Sequence, residues 1–564
     1  MKKSFVKLSC LMISLLVISC SPKGESSNSE LNSKSSNNNN ESSSLLSSSN
    51  NNNTQSSQNN NSSSEVIPDV DILPKLTFTF DPNDPDADFA TKATKTDLSR
   101  PEVMGTFKLE NCSNEYAFEG KVGGLKVRGN QTAGWKKKGF RIKFDKKQGM
   151  MGLNNGSEFK KWVLLADAKD TCLIRTAMGL NIAKAICKDE ENIWVSDFAP
   201  VSVYLNDQYW GYYYLAEQKE VNSNGNGRVH LPETKKSNTG TDIGYCFELD
   251  YYASREREKG ADGDPTFNVT YSPKEITYNT ESVIANNGNH VVRTYTMLSD
   301  ITDGPKDENG DPTEAYNENN SNQIAFIKHR LESLYTVLYE GAVNHKAKTI
   351  ENNEVVDSSD TVENVIKANF DINTWVDGFI LSAFQCAPDL GYSSFYMSFD
   401  NSESGNKKLR FDCPWDFDSN FGNRNNFIPK ANEASSSGGF GGYGGQSYDP
   451  YWVDRTSNMW INLFSKLDFF NDLVKAKWNK LREEQAFENM FHMVNTYFST
   501  YDSEIQKNHK RWPNNDAANE LRDPFKKTSD YKKAQQETIS WCSKRVNYLE
   551  GKWGNGRNPV NTNI

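Results

Sequence analysis

The chain predicts an α+β fold, bilobal, with a strand-rich N-terminal part and a helical C-terminal part. Short runs that alternate apolar and polar side chains crowd residues 105–218, whereas helical periodicity dominates after Ser321. Between them lies a stretch at about 222–320 rich in Asn, Gly, Asp and Glu, which reads as extended loops or an insertion.

The N-terminus stands apart from this body. MKKSFVKLSCLMISLLVISC has a basic start followed by an apolar run from Leu8 to Ile18. That run is shorter than the ~20 residues a membrane-spanning helix needs, so residues 1–20 read as an export signal. Val17-Ile18-Ser19-Cys20 resembles a bacterial lipoprotein cleavage box, which implies lipidation of Cys20 and membrane attachment through that lipid; an ordinary signal peptide is the alternative. Residues 21–66 are almost entirely Ser and Asn, too polar to offset the entropy of ordering, and predict a disordered spacer. The predicted working body is 67–485, with the insertion at about 222–320, and 486–564 forms a C-terminal helical extension.

Sixty-four basic residues stand against 74 acidic ones, with no long basic run, which argues against nucleic acid as a partner. Beyond Cys10 and Cys20 the cysteines are Cys112, Cys172, Cys187, Cys246, Cys386, Cys413 and Cys542. This scattered set without a CxxC pair is neither a zinc pattern nor a dense disulfide framework; one or two disulfides are compatible with export, and the spacing does not pair them.

In chain order, DPNDPDAD at 81–88 lacks the glycine and closing glutamate of a calcium loop and reads as a turn. GTFKLEN, GLKVRGN and GFRIKF read as strands; in the last, Phe140, Ile142 and Phe144 face a core while Arg141 and Lys143 face away. KWVLLA is another strand. Asp170 stands at an N-cap before the helical TCLIRTAMGLNIAKAI, and VSVYLNDQYWGYYYLAEQ reads as a hairpin turning at Asn206-Asp207. NQIAFIKHRLESLYTVLYEGAV, FDINTWVDGFILSAFQ and MWINLFSKLDFFNDLVKAKWNKLREE read as helices, the last as one long amphipathic run.

Two segments carry the candidate chemistry. CAPDLGYSSFYMSFD places Asp389 between a helix and a strand, and LRFDCPWDFDSNFG carries Asp412, Asp416 and Asp418. If the apolar residues around them form neighbouring strands, Asp389 and Asp416 emerge at one cleft. One carboxylate would then accept a hydroxyl proton while the other holds Mg²⁺, the division of labour of phosphoryl transfer. The same residues are also compatible with a solvated acidic turn, or with a glycosidase acid/base pair. KVRGNQTAGWKKKGFRIKF adds fixed cations beside a tight turn, suited to nucleotide phosphates or to a plain basic hairpin. Gly439, Gly441 and Gly444 match G-x-G-x-x-G only because their surroundings are glycine-dense; a mobile loop is the reading there. The histidines lack metal-ligand spacing, and no HExxH or GxSxG occurs.

KVRGNQTAGWKKKGFRIKF, WVLLADAKDTCLIRTAM, VYLNDQYWGYYYLAEQ and RFDCPWDFDSNFG, in that order over roughly residues 73–485, resemble the CotH kinase family. The resemblance implies a divergent protein-kinase-like fold, ATP and Mg²⁺ as cofactors, and Ser/Thr hydroxyls of proteins as acceptors. It implies Asp389 as the catalytic aspartate, Asp416 as a Mg²⁺ ligand, and Asp418 as a second ligand or a structural residue. Arg128 and Lys138 fall on the nucleotide side, with Lys137 and Lys143 as alternatives for the phosphate-binding lysine, and Glu217 shapes the nucleotide pocket. Two features depart from the family pattern: Ser393-Ser394-Phe395 stands where family members often carry Asn, and Asp412-Cys413 replaces small or apolar residues. The resulting expectation is an exported, lipid-anchored envelope kinase; the alternative is a surface binding or assembly protein that keeps the body without catalysis.

Overall fold

A computed structural model of the chain describes residues 72–92, 100–129, 131–190, 193–221, 229, 231, 240–250, 266–273, 286–287, 290–299, 322–391, 393–423, 458–521 and 524–562. The expected export signal, Cys20, the spacer and the glycine-rich loop lie outside these residues. Val66–Ile564 form one compact unit.

Seven strands close into a barrel: β1 (Lys75–Phe80), β2 (Glu102–Glu110), β3 (Phe118–Arg128), β4 (Gly139–Gln148), β5 (Phe159–Leu165), β6 (Phe198–Leu205) and β7 (Gln208–Glu217). Their order is β1-β2-β3-β4-β5-β7-β6, and parallel pairing of β1 with β6 (Leu76↔Val203) completes the ring. The expected strand-rich N-terminal part is therefore a closed barrel, which leaves no open sheet edge. Phe140, Ile142 and Phe144 point into its core as the alternation of GFRIKF requires, beside Phe78, Phe107, Leu125 and Leu215. The single-turn α1 (Phe89–Lys92) adds Phe89, whose ring sits edge-on to Phe78 and Phe140. Before it, Asp81 and Asp84 accept the Asn83 and Asp86 amides, so DPNDPDAD is indeed a turn.

The hairpin forms where expected: Leu205 pairs with Gln208, and Asn206 and Asp207 take φ 44° and 62°, the left-handed pair a two-residue hairpin turn demands. Its second strand is unusual in being buried on both faces. Tyr213 and Leu215 fill the barrel, while Tyr212 and Tyr214 pack with the helical part, and the Tyr214 hydroxyl donates to the Leu173 carbonyl. This explains the unbroken apolar run YYYLA.

Helix α2 (Arg175–Cys187) joins β5 to β6 and begins later than the sequence suggests. Asp170 does not cap at the adjacent turn. Its carboxylate reaches forward to the Cys172, Ile174 and Arg175 amides, holding a tight lead-in before the helix.

The region expected to be extended loops or an insertion contributes strands: β8 (Gly244–Leu249), β9 (Thr266–Tyr271), β10 (Asn286–Asn287) and β11 (His290–Met297). With β14 (Phe395–Asp400) and β15 (Leu409–Asp412) they form a second sheet ordered β10-β11-β8-β14-β15, with β9 also paired to β11. The hairpin β12 (Lys348–Glu351)–β13 (Glu354–Asp357) stands separately. Alternation gives the second sheet two unlike faces. Phe247, Leu249, Phe395, Met397 and Phe411 join the helical core. Cys246, Glu248, Tyr396, Ser398 and Asp412 occupy the alternate positions and so belong to the other face.

The helices are α3 (Asn322–Asn344), α4 (Val362–Asn369), α5 (Ile372–Gln385), α6 (Met459–Phe464), α7 (Asp468–Glu483), α8 (Ala486–Thr500), α9 (Asp502–Arg511) and α10 (Tyr531–Trp553). The run expected as one amphipathic helix breaks at Ser465–Leu467, where Leu467 adopts an extended conformation ahead of α7. The helices after residue 485 share the main core through Phe487, Phe491, Val494, Trp541 and Leu549. Arg545 of α10 is fully buried and donates twice to the Ala383 carbonyl of α5. The predicted extension is thus packed as part of the body. Among the described residues no helix is long and apolar enough to cross a membrane.

His509 of α9 is buried near Lys137, and its Nε2–H donates to the Thr171 carbonyl at 2.9 Å. Burial, then the Lys137 charge, lower its pKa from 6.5 to about 4. As pH falls below 6.5 the unfolded chain takes up this proton first, so native stability drops until about pH 4. The full drop is up to about 3 kcal/mol. In His509→Gln that component is absent, so urea unfolding at pH 4.5 and pH 7 should show a smaller pH difference than in the parent chain.

Candidate functional site

The barrel end, α2 and the loop after β15 meet at a cavity lined by Arg128, Gly129, Thr132, Asp167, Thr176, Trp415, Asp416, Phe417 and Asp418, among others. A second cavity contains Asp389, Ser393, Ser394, Pro414, Trp415, Asp416 and Asn420. Trp415 and Asp416 belong to both, so the cavities adjoin across them. Asp389 and Asp416 therefore come to one depression.

The loop that presents Asp416 is held from several sides. Asp412 is buried at its root: its carboxylate accepts the Trp194 and Cys413 amides and the Ser398 hydroxyl. Asp412 is thus a structural anchor. Asp416 itself is exposed in the left-handed region, φ 63°, where aspartate and asparagine are better tolerated than most residues. Asn420 donates to the Asp416 carbonyl and to Gln385 Oε1, tying the turn to the end of α5. Phe417 presses against Gly179 of α2, where an added Cβ would lie 2.1 Å from the ring. Gly179→Ala would raise helix propensity by about 1 kcal/mol, but overpacking typically costs 1–3 kcal/mol. A net loss of stability and a displaced Phe417 are expected, measurable by thermal unfolding and by the structure of the variant.

Ser394 occupies the departure from the family pattern and links two carboxylates. Its amide donates to Glu248 Oε1 at 2.8 Å, and its hydroxyl donates to Asp416 Oδ2 at 3.2 Å. Asp418 faces Lys169, 3.7 Å away, and accepts the Ser419 hydroxyl. The Asp389 carbonyl accepts the Ser393 amide, which shapes the turn ahead of β14.

The predicted basic residues divide. Arg128 ends β3 in the first cavity, with its guanidinium 5.6 Å from the Trp415 ring centroid. Burial lowers its pKa, while Tyr396, Asp416 and Glu248 act in the opposite direction. Lys138, by contrast, turns inward, and its ammonium donates to the Ala133 and Trp135 carbonyls. Lys137 is buried beside the Tyr213 ring, where desolvation lowers its pKa to about 7. Lys143 is exposed on β4. None of these three lysines lines either cavity. Glu217 does not line them either: it is buried at the end of β7, accepting the Asn154 side-chain amide and the Asp197 backbone amide. Its position is that of a brace between two loops at the barrel end.

Three ionisable residues near the site escaped the motif reading. Asp167, from WVLLADAKD, is buried in the first cavity and accepts the Thr176 hydroxyl; burial, followed by Asp170 and Asp418, raises its pKa. Lys219, just past the hairpin, lies 4.0 Å from the Trp415 ring centroid and 4.2 Å from that of Tyr396. Desolvation lowers its pKa to about 8, against the attraction of Glu248. Glu248, raised to about 7 by desolvation and then Asp250, stands on β8. The alternation of YCFEL could have placed Glu248 on the polar face, but not opposite Lys219.

A family profile described as CotH kinase protein matches residues 125–549, from β3 to near the end of α10. No curated protein matches the chain.

Proposed function

The chain belongs to the CotH kinase family, and from that premise we propose that it transfers the γ-phosphate of ATP to Ser/Thr hydroxyls of envelope proteins. The observation that carries the proposal is the shared position of Asp389 and Asp416 along one pair of adjoining cavities. Asp389 orients the acceptor hydroxyl and takes its proton, while Arg128 faces the phosphates from the barrel side. In this reading the barrel serves as the nucleotide lobe and the helical part as the acceptor lobe of a kinase-like body. Cys20 and the spacer would tether that body to an envelope membrane.

Magnesium needs oxygen donors and is held in nucleotide sites by one or two carboxylates plus phosphates. Asp416 and Asp418 on one turn suit that role, and among the described residues no larger acidic or histidine cluster would bind an ion alone. When bound, Mg²⁺ supplies charge neutralisation of the phosphate oxygens.

The Ser394 hydroxyl on Asp416 favours a second reading, an assembly protein that keeps the body without turnover. Calorimetry with ATP and Mg²⁺, followed by ³²P transfer to envelope proteins, separates the two. The kinase reading expects binding heat and labelled Ser or Thr. Binding without transfer, or no binding at all, would reject it.

A further inference from the structure

Cys246 and Cys413 are far apart in sequence and adjacent in the fold. Cys246 lies on β8, and Cys413 follows the last β15 pairing, Tyr396↔Asp412. Both side chains are 0% exposed, inside a small cluster with Trp194, Val221, Val229 and Tyr396. The two thiols are hydrogen-bond neighbours. Cys413 has left the strand, at φ 48°, and its Sγ–H also donates to Asp412 Oδ1 at 3.5 Å. Other cysteines have different neighbours: Cys172 faces the Thr538 hydroxyl, Cys386 the Ala383 carbonyl and Cys542 the Met178 sulfur.

We propose that Cys246 and Cys413 form a disulfide, cross-linking β8 to the root of the loop that carries Trp415 and Asp416. The oxidant is a disulfide compound, met while the chain folds. One cysteine thiolate attacks the oxidant's S–S bond, forming a mixed disulfide and releasing one thiolate. The second cysteine thiolate then attacks the protein sulfur of that mixed disulfide, forming the Cys246–Cys413 bond and expelling the other thiolate. Two thiol protons leave, and the electron pair reduces the oxidant to two thiols. The Sγ atoms must close from hydrogen-bond contact to about 2.05 Å, and the Cys413 thiol must give up its bond to Asp412 Oδ1.

Timing follows from burial. Once the cluster is closed, desolvation pushes the Cys413 thiol well above its ordinary pKa, and a buried neutral thiol exchanges poorly. Exchange therefore precedes closure. The bond would then link residues distant in sequence, the arrangement in which a disulfide most restricts the unfolded chain. It would also hold the 413–418 loop against β8, two residues from Glu248.

The full chain is refolded from denaturant in a reduced/oxidised glutathione buffer, and in parallel in reductant alone. Alkylation under denaturing conditions and peptide mapping then locate free and paired cysteines. A Cys246–Cys413 cross-linked peptide is expected in the glutathione sample, with Tm higher by about 5 °C than in the reduced chain. Cys413→Ser should abolish both the peptide and the Tm difference. Recovery of both cysteines as alkylated thiols, or pairing of either with another cysteine, overturns the proposal. The peptide map needs no variant to fold and does not depend on the kinase reading.

Discussion

Asp416→Asn is expected to leave the chain folded and to lower phosphoryl transfer by roughly 10²–10³-fold, the cost of deleting one preorganised electrostatic group. Asparagine is the informative replacement because of the backbone. At φ 63° alanine would add strain of its own, whereas asparagine tolerates the left-handed region and its carbonyl still accepts from Ser394. What it removes is the negative charge beside Arg128 and the anionic donor proposed for Mg²⁺. Asp418→Asn should cost less, about tenfold, because Asp418 already faces Lys169 and Ser419. Initial rates of ³²P transfer at saturating and limiting Mg²⁺ check this, with Tm as the folding control. An Asp416→Asn chain that transfers at the parental rate would remove Asp416 from the reaction.

The parts of this architecture that were legible in the sequence are those set by neighbouring residues. Asn206-Asp207 specifies a hairpin because both residues accept positive φ, and GFRIKF specifies an inward face because its period is two. Asp389 and Asp416 could be brought together on paper because each borders a strand of one antiparallel pair, β14 and β15. Other features depend on distant chain. Lys138 carries the charge expected of a phosphate ligand, but the turn at 131–135 directs two carbonyls at its ammonium. Lys219, just past β7, and Glu248, on β8 of the second sheet, meet at Tyr396, a relation no local period encodes. The strands of the middle region were missed because they are short and set among turn-forming residues, and their pairing depends on β14 more than a hundred residues later. Asp412, the acidic residue least like the family pattern, holds the loop through three bonds instead of facing the cavity.

Arg175→Met is expected to destabilise the chain by about 3–5 kcal/mol, the cost of stripping one partner from a buried ion pair. Arg175 is fully buried at the start of α2. Its guanidinium pairs with Asp170 and donates to the Thr538 hydroxyl of α10 at 2.7 Å, while its Nε donates to the Asn420 carbonyl at 3.2 Å. One side chain therefore joins the lead-in to α2, the turn below Asp416 and the C-terminal helix. In Arg175→Met the Asp170 carboxylate keeps its backbone amides but loses its counter-charge in a desolvated place. Asp170→Asn combined with Arg175→Met removes that unpaired charge and should recover part of the loss. Thr538→Val leaves the ion pair intact but removes an acceptor from the buried guanidinium, and should cost less, about 1.5–3 kcal/mol. The effect on phosphoryl transfer follows a separate route. Asn420 also holds the Asp416 carbonyl and Gln385, so releasing its own carbonyl loosens the turn that aims the carboxylate proposed to hold Mg²⁺. Under conditions where Arg175→Met remains folded, its transfer rate should fall further than that of Thr538→Val. Urea unfolding and ³²P transfer of the three variants test the two consequences independently. A single substitution costing under about 1 kcal/mol, with no recovery in the double variant, would mean that the buried pair does not organise this junction.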